Sequence, residues 1–142
     1  MTKFLNKTYF ASWLIGALIM FICSYCWHHL FLNDFERILL PDPLFYSLLG
    51  VAYLGVSFII LVIYGTGKVK LGPHLSGIVI GILTGVFIYL IALTLGFSFN
   101  NSRALKQSLF DLAWQVVEQG IGGFCIAVSY QIFDKGGFFV RI

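Results

Sequence analysis

Two carboxyl side chains, Asp111 and Glu118, stand inside an otherwise apolar stretch, Leu109–Phe133. An acidic residue at mid-bilayer costs roughly 2.5–3.5 kcal/mol, so it faces a bundle interior and has a companion. Arg103, Gln107, Asp111 and Gln115 recur every fourth residue, with Trp114 and Glu118 on the same helical side. The chemistry open to such a stripe is proton or ion handling, a ligand pocket, or polar adhesion between helices. A second cluster lies at the end of the first apolar block, in Cys23-Ser-Tyr-Cys26-Trp27-His28-His29. Cysteine, cysteine and histidine suit zinc or copper. Cys23, Cys26 and His29, however, climb one helix at three-residue steps, whereas a structural zinc site gathers four ligands from a folded loop. These three are therefore weak metal candidates, and no metal is expected.

Other chemistries find less support. A c-type haem motif is missed by one position, because Trp27 stands where histidine is required. Haem held by two histidines within the chain is disfavoured, since His28 and His29 adjoin on one helix and His74 belongs to the opposite end. No cofactor is expected; a haem or chlorin on one histidine would need a partner to complete it, and a lipid, quinone or pigment pocket would have Trp27, Trp114, Arg103 and Lys106 around it. Ser24, Ser57, Ser76 and Ser129 lack a nucleophile turn. Asp111 and Glu118 are two helical turns apart, about 10 Å, too far for an aspartyl pair. The chain is not expected to be an enzyme.

The elements that position these residues follow from composition. The 142 residues are 59% hydrophobic and 11% charged, against roughly 25% charged in a soluble domain. Apolar blocks at about 9–32, 44–64, 75–97 and 104–133 each reach the ~20 residues that cross a bilayer. Only helices or closed barrels satisfy their backbone in lipid, and the blocks lack period-two alternation. The expectation is an all-α polytopic membrane protein: four transmembrane helices in one antiparallel bundle and a single domain. A short interfacial helix is expected after the first span, from Asn33 to Pro41, with Asn33 and Glu36 at capping-box spacing. The first block is too long for a signal h-region and reads as a retained anchor.

Lys3, Lys7, Lys68, Lys70, Lys135 and Arg141 share one side of this topology, which predicts cytoplasmic termini. The net charge of +3 follows from that bias and implies no nucleic acid. Arg103 and Lys106 fall on the other side with Asp34, Glu36 and Asp42, as partners for those carboxylates or for an outer anionic group. Ser102 is the expected cap of the last helix, which would run about 46 Å.

Small residues mark the expected packing faces. Ser12 and Gly16 form a small-x-x-x-small pair in the first span, and Gly77, Gly81 and Gly85 make a ridge in the third. The ridge can serve a span of the same chain or another subunit. Counted inward from the outer interface, His29 and Asp111 lie three residues deep, and Cys26 and Trp114 six. Cys23 and Glu118 lie nine and ten deep. If the first and last helices touch, His28, His29, Asp111, Trp114, Gln115 and Glu118 form a layered polar seam. No basic residue shares the level of Glu118, so a hydroxyl or amide is its expected partner.

The run His28-His29-Leu-Phe-Leu, the glycine-rich Ser76–Gly85 and the run Asp111-Leu-Ala-Trp-Gln-Val-Val-Glu-Gln-Gly-Ile-Gly-Gly123 together resemble a group of proteins. These are the small four-span bacterial inner-membrane proteins of unknown function. The resemblance implies a bacterial inner-membrane location and four spans, and carries no activity. The function expected from the sequence is a non-enzymatic accessory or assembly subunit of a larger membrane complex, docking to lipid, other subunits or itself. The alternatives are a minimal proton, ion or small-solute transporter using Glu118, and a lipid-, quinone- or pigment-binding protein.

Overall fold

The structure, a computed structural model, describes residues 7–31, 41–94 and 105–135, with side chains over 7–29, 41–94 and 109–134. Four α-helices follow one another: α1 (Lys7–Tyr25), α2 (Asp42–Gly65), α3 (Pro73–Thr94) and α4 (Leu105–Lys135). A π-helical segment, Cys26–Phe31, continues α1. All four are long and apolar enough to cross a membrane, so the chain is a multi-pass integral membrane protein and an all-α four-helix bundle. The expected interfacial helix, the Ser102 cap, Arg103 and the side chain of Lys106 lie outside the described residues.

The ends of α2 are set by local chemistry. Pro41 precedes the helix, Asp42 and Pro43 fill its first turn, and the Phe45 amide closes onto the Pro41 carbonyl at 3.0 Å. An acid at this end meets the positive pole of the helix dipole, and proline there forfeits no intrahelical bond. At the other end the Thr66 hydroxyl donates to the Ile63 carbonyl at 2.7 Å. Gly67 then turns the chain at φ 62°, a left-handed conformation that a Cβ disfavours.

Many large apolar side chains are exposed, among them Val51 on α2, Leu83 and Phe87 on α3, and Ile132 on α4. The interior holds few: Met20, Ile60 and Ile126 are fully buried, ringed by small and hydroxyl residues. This inversion suits a lipid solvent, where close packing and hydrogen bonds, not water exclusion, hold helices together. α1 and α2 are stitched reciprocally. The Trp13 indole donates to the Leu54 carbonyl, and Ser57 donates to the Trp13 carbonyl, both at 2.7 Å.

α4 is the hub, touching α1, α2 and α3, and its longest interface is with α3. The glycine ridge explains that interface. A Cβ on Gly77 would strike the Gly123 carbonyl and Ala127, and one on Gly81 would strike the Gln119 carbonyl. One on Gly85 would meet the Gln119 side chain and the Gln115 carbonyl. Gly16 of α1 likewise receives Ile126, with Ser57 alongside, while Gly122 receives Met20. Ser12 is fully buried and returns its hydroxyl to the Thr8 carbonyl of its own helix at 2.8 Å. Of the two partners open to it, the ridge is thus occupied by α4, a span of the same chain.

Candidate functional site

Glu118 is 1% exposed, and the neighbouring Gln119 is fully buried. α4 can place both inward because it has partners on more than one side. Gln119 lies over Gly81 and Gly85 on the α3 face, and Glu118 turns toward α1 and α2. The Trp114 indole, one turn earlier on α4, donates to Glu118 Oε2 at 3.1 Å. The Gln119 amide donates to Oε1 at 3.3 Å. The Tyr53 hydroxyl of α2 faces the same carboxyl group. Tyr53 in turn neighbours Ser24 of α1, and both residues are buried. Three helices therefore converge on one carboxyl group, and its companions are a phenol, an indole and an amide. Among the described residues, Gln119 Oε1 is buried without a hydrogen-bond acceptor role.

The two directions along the membrane differ. Toward the π-helical end, Trp27 lies flat on Trp114, with ring centroids 4.0 Å apart and planes 8° from parallel. Phe110 adjoins Trp27 at 5.7 Å. The Trp114 side chain thus touches both the aromatic stack and the carboxyl group. Toward the opposite end, Met20, Ile60 and Ile126 fill the interior, with the buried Ser57 hydroxyl alongside Ile126 at Gly16. Past them, Tyr9 meets Tyr130 edge-to-face at 5.1 Å and Tyr130 meets Tyr64 at 5.6 Å. Gln131 reaches His74 there at 3.4 Å.

The remaining expected residues are placed as follows. His28, His29, Asp111, Trp114 and Gln115 are all half-buried near the π-helical end. His29 stacks on Tyr25 at 4.8 Å, and Tyr25 leans on Tyr46 of α2 at 5.9 Å. Gln115 contributes its carbonyl to the contact with Gly85. Trp114 meets Trp27, where residue counting on an unbroken α-helix pairs it with Cys26. A π turn takes more residues per revolution than an α turn, so the residues after Tyr25 are rotated off the α-helical face. The same rotation separates His29 from the stripe of Cys23 and Cys26. Cys23, Cys26 and Cys125 are free thiols, and no three metal-ligating side chains gather among the described residues.

Tyr53, Ser24 and Gln119 are the site residues that pattern reading missed. A signal existed for Tyr53. It lies nine residues from Leu44 at the outer end of α2, within one residue of the ten that separate Glu118 from Ser108. No protein-family model matches the chain, and neither does any curated protein or solved structure.

Proposed function

We propose that this integral membrane protein is a minimal, non-enzymatic proton carrier in which Glu118 is the group that takes up and releases the proton. The carrying observation is the enclosure of that carboxyl by polar groups from separate helices: Trp114 and Gln119 on α4 and Tyr53 on α2. A carboxyl group can exchange a proton where a tyrosine, tryptophan or glutamine ordinarily does not. Intramembrane acids held this way mark proton and ion routes. The ordered aromatic and histidine-bearing end offers the approach: the Trp27–Trp114 stack, then His28, His29 and Asp111 at half-burial. Met20, Ile60 and Ile126 bar the far side, so release there requires α1 and α4 to shift against each other.

The distribution of lysines supports termini on the cytoplasmic side, and the family resemblance supports a bacterial inner membrane. An accessory role would use the outward apolar faces of the helices, because the glycine ridge is spent within the bundle.

The test is flux. Purified protein in liposomes under a pH gradient, read by an enclosed pH-sensitive dye, is expected to dissipate the gradient. Glu118→Gln keeps the shape and a polar head but cannot exchange a proton, so transport should fall to the level of empty liposomes. Equal flux from the variant would remove Glu118 from the mechanism. A wild-type chain with no flux at all would return the polar cluster to a purely structural role.

A further inference from the structure

The loop joining α2 to α3 and the groove beside it carry a second inference, independent of Glu118. α2 and α3 are sequential neighbours but touch far less than α3 and α4 do, and a groove of about 500 Å³ opens between them. Its walls are Ile59 and Ile63 from α2 and Ile80, Leu83, Phe87 and Ile91 from α3, with Val69 of the loop at one end. From Ile80 to Ile91 the α3 wall rises about 16 Å, on the order of one leaflet's share of the ~30 Å hydrocarbon core.

The end at Val69 is built, not frayed. Ser76 is buried in the first turn of α3 and its hydroxyl reaches the carbonyls of Val69 and Leu71, each at 3.1 Å. Val69 is thereby turned inward against the core, and alternation leaves Lys68 and Lys70 exposed on either side of it. The loop from Thr66 to Gly72 contains no acidic residue to neutralise them. The exposed first residues of α3 stand beside them, and a helix start favours a negative group.

We propose that this groove is a binding site for an anionic phospholipid, with one acyl chain along the Ile59–Ile91 walls and the headgroup phosphate on Lys68 and Lys70. An acyl chain matches walls that are aliphatic and aromatic almost throughout. Two exposed lysines flanking Val69, which lines the groove, match a phosphate whose charge no headgroup cation offsets, as in phosphatidylglycerol.

Native mass spectrometry of the full chain released from nanodiscs of equal phosphatidylglycerol and phosphatidylcholine reads the lipid that stays bound. Two juxtamembrane lysines predict phosphatidylglycerol retained over phosphatidylcholine by about thirtyfold. Lys68→Gln with Lys70→Gln, on an exposed loop outside the helices, should bring the two lipids to equal retention at unchanged helicity. Ile59→Trp, which fills the groove from an exposed position and leaves both lysines, should lower the bound phosphatidylglycerol severalfold. Equal retention of both lipids by the wild-type chain, or an unchanged preference in the double glutamine variant, overturns the proposal. So does a second copy of the chain, or another polypeptide, bound in place of lipid and lost with Ile59→Trp.

Discussion

The two sides of α4 solve the same packing problem in opposite ways. Toward α3, the Gly77, Gly81 and Gly85 ridge presses against main chain, where an added methyl would meet a carbonyl of Gly123 or Gln119. Toward α1 and α2, α4 offers Trp114 and Glu118, and the partners answer with Trp27, Tyr53 and Ser24. The first interface is backbone on backbone and has no room to rearrange. The second is made of side chains with hydrogen bonds and stacked rings, groups that can exchange partners. A helix that must move relative to its neighbours moves on the second kind of surface. The α3–α4 pair is therefore the rigid half of the molecule, and α1 with α2 is the half against which it can shift.

The largest effect should come from breaking the rigid side. Gly123→Val places its side chain in the Gly77 carbonyl. No flexible side chain is there to yield, so a loss of about 3 kcal/mol or more is expected, read as failure to recover a monodisperse bundle in mild detergent. Next comes Glu118→Ala, which leaves the Trp114 and Gln119 donors buried without their acceptor. About 2–3 kcal/mol should be lost, while Glu118→Gln should retain most of the stability and lose transport. Comparing the two by thermal unfolding in detergent separates the structural from the protonic role.

A finer cut is Trp114→Phe. It keeps an aromatic ring over Trp27 and deletes the indole donor to Oε2. About 1 kcal/mol should go with the hydrogen bond, and altered flux in that variant would show that the donor helps tune the carboxyl group. Tyr130→Phe should be nearly silent, about 0.5 kcal/mol, because it removes only a 3.5 Å hydroxyl contact to Tyr9 while the edge-to-face ring packing remains. Gly55→Ala closes the series. Its methyl meets nothing within 4 Å, so unfolding should be unchanged or slightly later. A strong loss at Gly55 with tolerance at Gly123 would reverse the assignment of rigid and adaptable surfaces.

The four spans could be read from the chain because lipid leaves so few options for runs this long and apolar. The expected limits of α2, 44–64, differ from the observed Asp42–Gly65 by one or two residues, since Pro41 and Gly67 act on the backbone directly. The glycine ridge is visible from its spacing, but spacing alone leaves its partner open between a span of the same chain and another subunit. Gly123 and Ala127, four apart on α4, carried the complementary signal and went unused. The burial of Glu118 followed from the cost of its alternative. Tyr53 did not, because a single tyrosine among aliphatic residues has no periodicity to betray which way it faces. The π turn was beyond reach for a different reason. It is a change of hydrogen-bond register in Cys26–Phe31, and no residue type there encodes a register as Pro or Gly encodes a turn.

Because α4 is the last of the four helices to leave the ribosome, α1, α2 and α3 must wait in the bilayer for the element that each of them touches. Until then Gly77, Gly81 and Gly85 are covered only by lipid tails or by the insertion machinery, and Tyr53 has no carboxyl group to meet. α1 and α2 can pair beforehand through Trp13, Leu54 and Ser57, so what comes late is the seating of α3 and the closure around Glu118. A ribosome stalled before residue 105 would release three membrane segments with a ready-made adhesive strip, the kind of surface by which quality-control proteases recognise an orphan.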